Sequence, residues 1–174
     1  FLTKKTVTLC SATLTSSQNF SFLRKQIGLV GEEMEGKVEE RLYDSPFDFE
    51  KNSRFLIPKN FPLPHEYTFL ERSVEIIKNI IAATNGGCFL LFTSYDMLQK
   101  CYDRIAGEDG SFQYLKQGDA ARQVLVDRFK EQDNSVLFAT SSFWEGIDIA
   151  GDALRCVVLT KLPFRVPKIG RAHV

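Results

Sequence analysis

Three apolar runs constrain this chain more than any other feature: CFLLF at 88–92, SVLFAT at 135–140 and LRCVVLT at 154–160. Each has strand length, and such near-continuous apolar strands need cover on both faces. Helical stripes lie between and before them. In EYTFLERSVEIIKNIIAAT (66–84), Phe69, Val74, Ile77, Ile80 and Ile81 share one face, and the NGG that follows ends it. In TSYDMLQKCYDRI, capped by Thr93 or Ser94, one face carries Met97, Leu98, Cys101, Tyr102 and Ile105. FQYLKQG reads as a short strand. DAARQVLVDRFKEQ (119–132) reads as a helix with Asp119 as N-cap and Val124, Leu125, Val126 and Phe129 as its apolar residues. From residue 66 the order is helix, strand, helix, strand, helix, strand, loop, strand. That alternation predicts an α/β fold with a parallel sheet covered by helices on both faces.

The first third is less regular. VTLC, within 6–10, reads as a short buried strand and SATLTSSQNF as a polar loop. A helix is expected over 20–27, capped by Ser17 or Asn19 and stopped by Gly28. Residues 29–65 hold SPFDF and IPKNFPLPHE and show no strong period. They read as an irregular connector with one or two short strands, of a length that marks a link between domains.

Composition removes several classes. Apolar residues make up 44%, enough for a true core, and Lys+Arg equals Asp+Glu at 22 each, so there is no overall basic coat. A local basic groove stays open. Cys10, Cys88, Cys101 and Cys156 show no metal-ligand spacing and read as buried free thiols in a reducing compartment. No apolar run reaches the roughly 18 residues of a membrane span. No signal peptide is evident, and Phe1 reads as an internal position rather than a natural start.

Ligands of parallel sheets sit at the carboxyl ends of the strands. Three loops are expected there: SATLTSS after VTLC, TSY after CFLLF, and SSFWEGIDIAG after SVLFAT. All carry hydroxyls. In the last, Gly146 permits close backbone approach, Asp148 can accept from ribose hydroxyls, and Ser141 and Ser142 can donate to a phosphate. Trp144 is either core or a stacking surface. A glycine turn with a capping Asp and a buried Trp accounts for the same residues.

The run SVLFATSSFWEGIDIAGDALRCVVLTKLPFRVP resembles motif V and its flanks in the DinG/XPD group of superfamily 2 DNA helicases, as FWEG-x-D-x-x-G-x-x-L (Phe143 to Leu154) followed by KLPF (Lys161 to Phe164). CSATL (10–14) is similar to motif III, FLLFTSYDML (89–98) to motif IV, and SPFDFEKN (45–52) to the segment between them. The resemblance covers residues 1–167. It implies two RecA-like motor domains, with ATP and Mg²⁺ in the cleft between them and single-stranded or forked DNA as partner. Hydrolysis would drive 5′ to 3′ stepping by a monomeric motor in the bacterial cytoplasm, at the nucleoid. Residues 1–65 would be the end of the first motor domain with its connector, and 66–167 an incomplete second motor domain. Ser11 and Thr13 would couple nucleotide state to grip. Thr93, Ser94 and Tyr95 would bind strand phosphates, with Ser141 and Ser142. Glu145, Gly146 and Asp148 would link strand and nucleotide, Asp148 nearest the ribose. Packing remains the stronger account of Tyr95 and Trp144, and helix capping an alternative one for Ser11 and Thr13.

No GxxxxGK[ST] or acidic Mg²⁺ motif occurs, so no catalytic residue is assigned and no ATPase activity is expected of this chain alone. An iron–sulfur cluster, where relatives have one, would use cysteines other than these four. Gly170-Arg171 lies too close to Phe164 to be motif VI. IGRAHV matches the translation of a common sequencing adapter, so residues 168–174 are expected to be non-native and the chain to be truncated at both ends. Two other readings stand beside the helicase: a non-catalytic RecA-like nucleic-acid-binding module, and an unrelated doubly wound transferase, which would need a glycine-rich phosphate loop.

Overall fold

The computed structural model describes residues 6–107, 110–140, 143 and 147–162. They fall into two compact units that divide after Ile57.

The first unit is built from turns and short helices. Helix α1 spans Ser21–Gln26. Asn19 Oδ1 accepts from Ser21 N (3.1 Å) and Ser21 Oγ (2.6 Å), but the N-cap position falls on Phe20, so neither Ser17 nor Asn19 is the expected cap. Gly28, at φ +75°, follows its end. A single helical turn, α2, covers Phe49–Asn52, with Asp48 accepting from Lys51 N at 3.0 Å. Two expectations fail here. VTLC forms no strand, and Val7, Leu9 and Cys10 are exposed. A strand satisfies its backbone only against a neighbour, and no described strand pairs with this one. The connector likewise holds no strand over 29–65, only α2 and a 3₁₀ turn at Glu32–Met34.

The second unit is the sheet domain. Helix α3 is Phe69–Thr84, strand β1 Cys88–Phe92, helix α4 Tyr95–Ile105 and strand β2 Gln113–Lys116. Helix α5 is Arg122–Glu131, strand β3 Ser135–Thr140 and strand β4 Cys156–Leu159. The described strands pair in parallel in the order β2-β3-β1-β4. This is the helix-flanked parallel sheet expected of a RecA-like domain.

Alternation along the strands divides the core into two layers. Cys88, Leu90, Phe92, Val136 and Phe138 face Val74, Ile77 and Ile81 of α3 and Leu98, Cys101 and Ile105 of α4. Phe89, Leu91, Leu137 and Ala139 face Leu125, Val126 and Phe129 of α5. Burial of each large side chain stabilises the fold by about 1.5–3 kcal/mol. The NGG that ends α3 is required by conformation: Asn85, Gly86 and Gly87 all have positive φ.

Other departures are local. Asp119 does not cap α5; its carboxylate lies 3.6 Å from Lys116 Nζ, its N–H donates to Lys116 O, and the helix begins three residues later. Val124 is exposed, because Leu125, Val126 and Phe129 already occupy the buried face of α5. Of LRCVVLT only Cys156–Leu159 is strand; it pairs with β1 alone among the described strands, so Val157 is exposed and Cys156 only half-buried. No described helix is long and apolar enough to cross a membrane.

Candidate functional site

Register brings three hydroxyl-bearing residues to one edge. Phe92 pairs with Thr140 across β1 and β3, and Leu91 with Leu159 across β1 and β4. The chain therefore leaves the carboxyl ends of neighbouring strands at Thr93, Thr140 and Thr160. Thr160 donates to Leu91 O through both N and Oγ1, each at 3.1 Å. Lys161 follows, exposed.

Ser94 has extended backbone, and its Oγ accepts from Met97 N at 3.3 Å. It is the N-cap of α4, which sets the positive end of that helix beside the edge. Its own O–H remains able to donate. Thr93 is exposed. Tyr95 is half-exposed, and its hydroxyl donates to Gln117 O at 3.2 Å, so the phenol is docked on the protein. Gln117 Oε1 accepts from both Thr140 N (2.7 Å) and Thr140 Oγ1 (2.9 Å). The start of α4, the turn after β2 and the end of β3 are thus linked by hydrogen bonds.

The connection from β3 to β4 is held by apolar anchors. Phe143 is buried, edge-on to Phe89 at 6.2 Å, with the Arg122 guanidinium 5.4 Å from its ring centre. Ile147, Ile149 and Leu154 pack on the α5 layer. Between the two isoleucines Asp148 is exposed, its side of the chain fixed by their burial. Ser141, Ser142, Trp144, Glu145 and Gly146 lie outside the described residues.

Ser11 and Thr13 belong to the other unit. Ser11 Oγ lies 3.3 Å from Thr13 Oγ1 and accepts from Thr13 N at 3.3 Å, a small exposed turn that caps no described helix. SATLTSS does not leave a strand of the sheet, so the expected third loop of the carboxyl edge is corrected. The edge instead gains Thr140, Thr160, Lys161 and Gln117, to which sequence reasoning gave no role. KLPF flagged Lys161 as part of a motif; nothing in the spacing singled out Gln117.

Among the described residues no group of three His, Cys, Asp or Glu side chains could hold a metal ion. Cys88 and Cys156 face each other across β1 and β4. Hydrogen bonding to Cys156 and burial push the Cys88 thiol well up, while the Cys88 hydrogen bond lowers Cys156 to about 7 against opposing burial. Burial raises Cys101 to about 12.

Comparison with known proteins adds an independent line. The family model described as helicase C-terminal domain matches residues 77–172. "ATP-dependent DNA helicase YoaA" of Haemophilus influenzae is 36% identical over 157 residues, covering 90% of this chain and 23% of the relative. Its Escherichia coli namesake is 31% identical over 157 residues, covering 90% of this chain and 24% of the relative. "3'-5' exonuclease DinG" of Bacillus subtilis is 30% identical over 174 residues, covering 96% and 18%. The chain thus spans about a quarter or less of the length of these relatives. The family match takes in more than half of the chain, its residues include the whole described sheet, and the chain belongs to the helicase C-terminal domain family.

Proposed function

We propose that this chain is part of an ATP-dependent DNA helicase: the end of the first motor domain with its connector (1–65) and part of the second (66–167), with 168–174 non-native. In this reading the carboxyl edge of the sheet holds the backbone of single-stranded DNA, alone or at a fork, without reading its bases. Thr93, Ser94, Ser141 and Ser142 supply hydroxyls to phosphates, and Tyr95 flanks them. Ser11, Thr13, Glu145, Gly146 and Asp148 relay the state of bound ATP to that grip. Motifs beyond this chain supply the phosphate cradle and Mg²⁺, and any iron–sulfur cluster. The motor works as a monomer in the bacterial cytoplasm, at the nucleoid.

The observation that carries the reading is the alignment of Thr93–Ser94 and Lys161 along one edge of neighbouring strands, braced by Thr140 and Thr160, whose own hydroxyl protons go to Gln117 Oε1 and Leu91 O. Hydroxyls, backbone amides and a cation are the groups that hold phosphates without sequence preference. The test is ATP hydrolysis by the full-length protein carrying this chain, with and without a thymidine 30-mer. The reading expects DNA-stimulated hydrolysis, weakened stimulation in Thr93→Ala/Ser94→Ala, and an Asp148→Ala variant that loses unwinding more than strand binding. DNA binding without hydrolysis would favour the non-catalytic module instead.

A further inference from the structure

Strands β2 and β3 are joined at both ends by the same chemical device. At the amino end Ser135 Oγ donates to Gln113 Oε1 at 2.8 Å. At the carboxyl end Thr140 Oγ1 donates to Gln117 Oε1 at 2.9 Å. The second pair does more than the first. Gln117 N donates to Phe138 O at 2.9 Å, continuing the β2–β3 ladder. The regular next partner of Thr140 N–H would be the Gln117 carbonyl. Instead that N–H goes to the Gln117 side chain at 2.7 Å, and the carbonyl accepts from Tyr95 at 3.2 Å. Gly118 makes the exchange possible. Its φ of +105° turns the chain away, and a Cβ there would lie 3.0 Å from the Tyr95 hydroxyl oxygen.

We infer that Gln117 is a positioning residue for the DNA-gripping edge: through its carbonyl it holds Tyr95, and through its side chain it holds Thr140, fixing the spacing between the start of α4 and the end of β3. The inference rests on the reading proposed above. Grip on a repeating phosphate backbone depends on that spacing, because donors on two turns must meet phosphates at a set separation. Gln117 touches no nucleotide in this account. It acts through Tyr95 and Thr140.

The paired geometry supplies its own control. Gln117→Met and Gln113→Met each remove one side-chain acceptor between the same two strands, but only the first lies at the gripping edge. In the full-length protein, Gln117→Met raises the thymidine 30-mer concentration that half-maximally stimulates ATP hydrolysis by about tenfold, with kcat at saturating DNA and KM for ATP within about twofold. Gln113→Met leaves the half-saturating concentration within about twofold while lowering the melting temperature. Thr140→Val, which keeps the N–H bond, gives about a threefold rise, and Thr140→Ser restores the wild-type value. Should Gln117→Met not fold, the two Thr140 variants carry the test. Equal DNA effects in the Gln113 and Gln117 variants, or none in Gln117→Met, overturn the inference. Wild-type protein whose hydrolysis ignores DNA overturns the underlying reading, and the inference with it.

Discussion

The Arg155 guanidinium fills the space a side chain on Gly87 would need: a Cβ there would lie 2.9 Å from Arg155 Cζ. From that position Arg155 donates to the carbonyls of Thr84, Asn85 and Asp152 at 2.8 Å each, and to Asp133 O. One side chain thus ties the end of α3, the turn before β3 and the start of β4. It does so at the amino edge of the sheet, opposite the proposed grip. Arg155→Ala is expected to cost about 2 kcal/mol in urea unfolding. Arg155→Lys recovers less than half of it, since an ammonium lacks the planar fork.

Gly86 is the more demanding glycine. Its φ is +78°, and a Cβ would lie 2.6 Å from the backbone carbon of Asn134. Backbone cannot swing aside as a side-chain tip can. Gly86→Ala is expected to destabilise by more than about 3 kcal/mol, whereas Gly107→Ala, with nothing within 4 Å, stays within about 0.5 kcal/mol by the same unfolding measurement.

Cys156 provides a pH-dependent readout of the β1–β4 pairing. Hydrogen bonding by Cys88 lowers it to about 7. In a Cys10→Ser background, iodoacetamide labelling of Cys156 followed by peptide mass spectrometry rises with a midpoint near 7. Cys88→Ala moves the midpoint up toward the ordinary 9.0. The stability consequence follows in sign. A depressed folded value adds stability above the unfolded value, and that stability is lost as pH falls through about 7. Cys88 acts oppositely: its folded thiol keeps its proton above 9.0, so its contribution is lost as pH rises beyond that.

Ser94 and Lys161 separate a neutral from a charged contact at the same edge. Ser94→Ala removes the cap of α4 and costs about 1 kcal/mol of stability. It lowers strand affinity slightly and leaves the slope of log affinity against log salt unchanged. Lys161→Ala flattens that slope by about 0.7, one released counterion on a single strand. Fluorescence anisotropy of labelled thymidine 30-mer across a salt series with the full-length protein distinguishes the two.

Much of the sheet domain is legible in the sequence, because burial writes itself into residue type. CFLLF and SVLFAT are strands at the expected bounds, fully or nearly fully buried, and the faces of α3 and α4 follow their stripes. What the sequence hides is whatever depends on a partner in space. VTLC has strand composition and no described strand beside it. Asp119 has the chemistry of a cap and is drawn instead to Lys116. Gln117 looks like any polar residue after a short strand, and only register reveals that its amide replaces a ladder carbonyl. Conversely, Ser94 was readable as a cap, yet capping alone says nothing of the edge it shares with Thr140.

The most direct test of the account is amide hydrogen exchange of the full-length protein with and without thymidine 30-mer. DNA is expected to slow exchange in segments 93–95, 140–142 and 160–161. Segments 85–88, 133–135 and 152–156, at the opposite edge, should remain unchanged. Protection confined to the opposite edge, or absent from the carboxyl edge under saturating DNA, would contradict the central claim.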